Sequence, residues 1–172
     1  LTWTSQYTIQ HETDWYIKPD RRLDMPKLLR AFQKFFRENS DAWIERFEYK
    51  EAGPQLLLQA FLQRILNGGG RLTREYGLGR KRTDLFIEWP LDDNQGFLGP
   101  MQRVVLELKI LHKTLETTLK EGCVQIADYA DGCGAEEAHL IMFNRDPQVR
   151  REDKLFEQVQ CDEGREIYIW GM

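Results

Sequence analysis

The chain has 172 residues, 41% of them hydrophobic and 30% charged, with a formal net charge of −4 and a pI near 5.5. No apolar run approaches membrane-spanning length and no signal-peptide pattern opens the chain, so the sequence argues against a membrane protein and for a cytoplasmic one. The acidic balance also argues against tight, sequence-blind binding of duplex by the whole surface. Cys123, Cys133 and Cys161 form no zinc spacing and are odd in number, which suits reduced thiols. Ser5 and Ser40 are the only serines and no Gly-x-Ser-x-Gly elbow occurs, which disfavours a serine hydrolase. The chain starts at Leu1, which suggests a fragment of a longer protein.

Residues 1–24 carry Trp3, Tyr7, Trp15 and Tyr16 without a clear period. Met25 to Phe47 reads as two helical pieces, the first with Leu28, Leu29, Phe32, Phe35 and Phe36 on one face. Asn39-Ser40-Asp41 interrupts, with Ser40 placed to cap a second piece. Residues 1–48 are expected to be an N-terminal extension or helical linker ahead of a main domain over 49–172. A helix follows from Pro54 to about Leu66, ended by Asn67-Gly68-Gly69-Gly70. That glycine run closes a helix and lacks a following Gly-Lys-Ser/Thr, so it is not a phosphate-binding loop.

Arg71 to Tyr76 and Asp84 to Trp89 read as strands, the second stopped by Pro90. Residues 91–100 are rich in turn formers, which predicts a hairpin into a third strand, Arg103 to Ile110. Its run Val104-Val105-Leu106-Glu107-Leu108-Lys109-Ile110 is the most informative stretch of the chain. Five of its seven residues are Val, Leu or Ile, so it reads as a buried strand. Side chains at i and i+2 share a face, which aligns Glu107 with Lys109. Burying both charges costs several kcal/mol unless each finds a partner. The hairpin would bring Asp84 beside Glu107. Two carboxylates and an ammonium at one point suit a hard divalent cation such as Mg²⁺ or Mn²⁺, with the ammonium serving an attacking water.

Thr114 to Ala130 has apolar residues at Leu115, Leu119, Cys123, Ile126 and Ala130, the spacing of an amphipathic helix. Gln125 and Tyr129 lie one turn apart on one flank. Ala138 to Phe143 is a continuous apolar run suited to an interior parallel strand, after a turn at Gly132 and Gly134. Arg145 to Gln158 is polar and leaves room for a short helix, and Glu166 to Trp170 alternates as a last strand. The predicted order is αβββαβ plus an added strand, an α/β fold with a mixed sheet flanked by helices. His11, His112 and His139 show no metal-ligand spacing. Arg71, Arg74, Arg80, Lys81 and Arg82 cluster ahead of Asp84 and are expected to rim the carboxylates, where phosphates would arrive.

Asp84, then Glu107-Leu108-Lys109, then Gln125-Ile126-Ala127-Asp128-Tyr129 resembles the PD-(D/E)xK nuclease superfamily. The Gln-x-x-x-Tyr helix is similar to its RecB-like branch. Gly79-Arg80-Lys81-Arg82-Thr83-Asp84 looks like a variant of the strand start in the nuclease-like C-terminal domain of predicted AAA-type ATPases. The resemblance covers about Tyr49 to Met172. It implies a restriction-endonuclease-like core and a metal-dependent nuclease whose expected substrate is DNA. It implies Mg²⁺ or Mn²⁺ held by Asp84, Glu107 and the Leu108 carbonyl, with Lys109 serving the water. Gln125 and Tyr129 would support the site or bind substrate. It further implies a Glu from the first core helix, for which Glu51 is the candidate and Glu45 and Glu48 compete. Arg80, Lys81 and Arg82 would bind nucleic acid, and an AAA-type ATPase in the same chain or complex would be the partner. The alternative is a catalytically inactive module that keeps the fold as a nucleic-acid-binding or interaction domain.

Overall fold

A computed structural model describes residues 14–46, 52–76, 83–111 and 114–172. Its described elements are α1 (Met25–Arg46), α2 (Ala52–Leu66), β1 (Arg71–Tyr76), β2 (Thr83–Pro90), β3 (Met101–Ile110), α3 (Leu115–Cys133), β4 (Glu137–Phe143), α4 (Arg151–Lys154), β5 (Phe156–Asp162) and β6 (Arg165–Gly171). Short 3-10 turns sit at Asp14–Tyr16 and Gly96–Leu98. The strands form one open six-stranded sheet in the order β1-β2-β3-β4-β6-β5. β1, β2 and β3 are antiparallel, β4 runs parallel to β3 and to β6, and β5 returns antiparallel to β6. The protein is thus mixed α/β. None of its described helices is long and apolar enough to cross a membrane.

Two cores lie on opposite faces of this sheet. Leu85, Ile87, Val104, Leu106, Leu108, Ile141, Phe143 and Trp170 point to one face, where α1 and α2 cover them with Leu28, Leu29, Phe32, Leu58 and Leu62. Val105, Ala138, Leu140, Met142, Ile167 and Ile169 point to the other, covered by α3 through Cys123, Ile126, Ala127 and Ala130. β3 is buried continuously from Val104 to Leu108 because both faces are roofed.

α1 starts where Asp24 Oδ1 accepts from the Lys27 amide at 3.2 Å, with Pro26 in the first turn. It then runs unbroken for 22 residues, one helix where two pieces were expected. The Asn39 amide donates to the Phe35 carbonyl at 2.8 Å, so its polar group is satisfied by the helix instead of competing with it. The segment ahead of α1 is tied to β3 by Gln102, a buried side chain. Its Oε1 accepts from the Leu23 amide (2.7 Å) and its Nε2 donates to the Leu23 carbonyl (3.1 Å). Residues 16–36 therefore share the core of the sheet.

β5 is the other departure, a strand where a polar connection was expected. It is the sheet's edge on the β6 side, so Glu157, Gln158, Gln160 and Cys161 can stay partly wet while the backbone pairs on one side only. Glu163 (φ 49) and Gly164 (φ 84) make the two-residue turn into β6, both in the left-handed region that such hairpins need.

Candidate functional site

The β2–β3 register pairs Asp84 with Glu107. Directly opposed residues of an antiparallel pair have Cα atoms about 4.5–5.5 Å apart and share a face of the sheet. The expected hairpin is therefore present, and it brings those two positions together. The β1–β2 register adds Glu75 opposite Asp84. Glu75, Asp84 and Glu107 thus form a row of acidic positions across three strands. Glu75 gave no sign of this in the sequence, because the pairing of β1 with β2 decides it. The side chains of Glu75 and Asp84 lie outside the described residues.

Glu107 points into the face roofed by α3 and its side chain is 1% exposed. Lys109 follows on the same face, 17% exposed, with Nζ 3.9 Å from Glu107 Oε1. The ammonium also donates to Gln125 Oε1 at 2.8 Å. Gln125 thus holds Lys109 from above, joining strand motif to helix motif. Tyr129, one turn further along α3, packs against the core of this face. Leu108 turns its side chain into the opposite core.

α3 reaches this position through its caps and its small residues. The Thr114 side chain accepts from the Thr117 amide, and Gly134 closes the helix in the left-handed region at φ 68. Gly122 faces Leu140, and a Cβ there would stand 2.8 Å from Leu140 Cδ2. Glycine therefore lets the helix settle onto β4 close enough for Gln125 to meet Lys109.

The carboxylates colour their surroundings. Burial pushes the Cys123 thiol above its ordinary pKa, and the charges of Asp162 and Glu107 push it further, against Lys109. Cys123 Sγ lies 3.5 Å from Gln160 Oε1. Gln160 and Asp162 belong to β5, so the missed strand also supplies the polar wall of this face.

Other expectations land elsewhere. Arg71 pairs in register with Glu88, four residues along the strand from the Glu75–Asp84 pair, roughly 13 Å away. There it contacts Glu88 Oε2 at 3.5 Å and lies over the Phe97 ring at 4.0 Å. It serves the far end of the hairpin and does not rim the carboxylates. The length of strand that separates Arg71 from Asp84 is invisible to a count of charges. Arg80, Lys81, Arg82, Glu48, Glu51, His11 and His112 lie outside the described residues, as does the Glu45 side chain. His139 is buried on the face opposite Glu107, with Nε2 2.8 Å from Glu137 Oε1 and Nδ1 accepting from the Trp170 indole at 3.0 Å.

Among the described residues, no group of three or more His, Cys, Asp or Glu side chains is arranged to hold a metal ion. That set includes Glu107 but not the side chains opposite it. The donor types on the row, carboxylates with a strand carbonyl between Glu107 and Lys109, suit a hard oxygen-seeking cation. Opposed like charges on neighbouring strands destabilise a sheet unless a cation or proton lies between them. No family model, curated protein or solved structure matches this chain.

Proposed function

We propose that this domain is a divalent-metal-dependent nuclease that hydrolyses phosphodiester bonds of nucleic acid, with DNA as the expected substrate, on a restriction-endonuclease-like core. The observation that carries the reading is the β2–β3 register: it sets Asp84 opposite Glu107, with Lys109 on the same face and fastened to Gln125. The described order α2-β1-β2-β3-α3-β4 also follows the αβββαβ order read from the sequence.

Asp84, Glu107 and the Leu108 carbonyl would hold Mg²⁺ or Mn²⁺. Glu75 would offer a further oxygen donor in addition to the helix carboxylate, Glu51, that the resemblance suggests. A bound cation supplies Lewis-acid polarisation of the phosphate and lowers the pKa of an attacking water. Lys109 orients that water and places positive charge against the charge that develops on the phosphate oxygens. Gln125 positions the ammonium, and Tyr129 borders the substrate side. Arg80, Lys81 and Arg82, immediately ahead of Asp84, would meet the phosphates. An AAA-type ATPase in the same chain or complex would deliver the substrate, in the cytoplasm.

The test is cleavage of supercoiled plasmid and labelled single strands with Mg²⁺, Mn²⁺ or EDTA, with Asp84→Ala and Lys109→Ala as controls. The expected result is metal-dependent cleavage that falls by about 10²–10⁴-fold in each variant, with thermal unfolding still cooperative. Wild-type-like cleavage by either pure variant would end the mechanism. Neither cleavage nor Mn²⁺ binding by calorimetry would leave the inactive binding module as the better reading.

A further inference from the structure

The outer face of α1 carries four basic residues and no acidic ones up to Arg37. Lys27, Arg30, Lys34 and Arg37 are spaced by three, four and three, and the first carboxylate within the helix is Glu38. At 3.6 residues per turn the four fall within an arc of about 80°, opposite Leu28, Leu29 and Phe32. Lys27, Arg30 and Lys34 are exposed and Arg37 is half-buried.

A face that serves only solubility normally mixes both signs. This one sets like charges at i,i+3 and i,i+4, an arrangement that weakens a helix. It does so in a chain with a net charge of −4. Two of the four, Arg30 and Arg37, are already used within the fold. Arg30 makes a two-pronged contact with Glu157 on β5, at 2.6 and 2.9 Å, and its guanidinium lies over Trp170. Arg37 donates to the Arg151 carbonyl, which sets α4, with its two acidic and two basic residues, at the end of the stripe. Among the described residues no carboxylate pairs with Lys27 or Lys34.

The stripe has a direction. α1 begins beside Gln102, near the start of β3, through the paired bonds to Leu23. By Phe36 it has reached Phe143, at 5.3 Å between ring centroids, and Phe143 pairs in register with Ile110. The basic residues therefore climb toward the end of the sheet where Lys109 sits, on the opposite face. Ten residues of helix rise about 15 Å, comparable to about four nucleotides of one strand at about 3.4 Å each.

We infer that the Lys27–Arg30–Lys34–Arg37 face of α1 is a phosphate-contacting track that leads a nucleic-acid backbone to the end of the sheet bearing Glu107 and Lys109. The inference rests on the nucleic-acid reading above but not on cleavage. It assigns the track to the phosphodiester backbone, so it predicts salt-dependent binding with little sequence preference.

The test is fluorescence anisotropy with a labelled single strand and a labelled duplex, in EDTA so that no cleavage intervenes, over a series of salt concentrations. The full chain is compared with Lys27→Gln/Lys34→Gln and with the triple variant that adds Arg37→Gln. Arg30 is retained because it braces β5. The slope of log K against log salt should flatten by about 0.7 per lost contact on the single strand and about 0.9 on the duplex. The double variant keeps the test intact if the triple loosens the α1–α4 contact, and unfolding midpoints verify both. An unchanged slope in the folded double variant overturns the track. So does wild-type binding to phosphatidylserine vesicles with none to nucleic acid. Because the readout is binding without metal, a failure here leaves the cleavage test with Asp84→Ala standing, and the reverse also holds.

Discussion

The two faces of the sheet are built on different principles. The face under α1 and α2 is thick: Trp170, Phe32, Phe143 and several leucines are fully buried there. The face under α3 is thin, with Gly122, Cys123, Ala127, Ala130 and Ala138 bringing helix and strands into close approach. The thick face has the larger apolar area to remove from water and so the larger share of the stability. The thin face accepts a buried Glu107 and a partly buried Lys109, a desolvation cost that the thick face helps to offset. The difference teaches that this chain keeps its bulky apolar side chains on one face and the Glu107–Lys109 pair on the other by the alternation of side chains along each strand.

The sharpest way to break that comparison is Phe32→Ala. Phe32 is fully buried and touches Phe35, Phe36 and Phe61. Its loss should cost about 3–5 kcal/mol, read as a lower urea midpoint, while the metal-dependent cleavage proposed above stays near wild type per folded molecule. An equal loss of specific cleavage would mean that the faces are not separable. Gly122→Val attacks the thin face instead. The added atoms meet Leu140, so stability should fall by about 1–3 kcal/mol. Cleavage should fall more than stability does, because α3 carries Gln125 away from Lys109.

Gln125→Ala is a smaller, more local probe. It removes one hydrogen bond to a charged group, about 1.5 kcal/mol at most for a partly wet ammonium. A roughly tenfold fall in kcat/KM follows from that figure, with the unfolding midpoint nearly unchanged. A Gln125→Glu variant that restored or raised activity would argue against a merely orienting amide. The smallest effect concerns Cys123. Its thiol is held above the ordinary range first by burial and then by Asp162 and Glu107, and Tyr168 is raised as well, chiefly by burial. A raised folded pKa stabilises at neutral pH, and that share is lost as pH climbs past the unfolded group's range. Alkylation by iodoacetamide at neutral pH, followed by mass spectrometry, should therefore label exposed Cys161 well before buried Cys123. Equal labelling rates would mean that α3 lifts off the sheet readily.

Much of this was legible beforehand. Glu107 and Lys109 shared a face because strand periodicity is local, and Gln125 stood out because helix spacing is local too. β3 and β4 were plain as continuous apolar runs, since a strand covered on both sides leaves no polar face. β5 was not, because an edge strand with Gln158, Val159 and Gln160 carries no such run, and its pairing partner lies beyond a two-residue turn. The unbroken course of α1 was hidden by Asn39-Ser40-Asp41, residues that end helices in water but here continue one that is pinned along the sheet.

By itself, then, the sequence determined the periodicities: which residues alternate, which recur every three or four, and so which charges travel together along one element. Only the tertiary structure decided which elements meet. It set Glu75, Asp84 and Glu107 in one row, carried Arg71 to the far end of the hairpin, placed Asp162 and Gln160 beside Cys123, and gave the amphipathic face of α1 the sheet as its partner. The reason is physical. Facing within an element follows from backbone geometry over a few residues, whereas register and layer follow from the burial of area contributed by segments tens of residues apart.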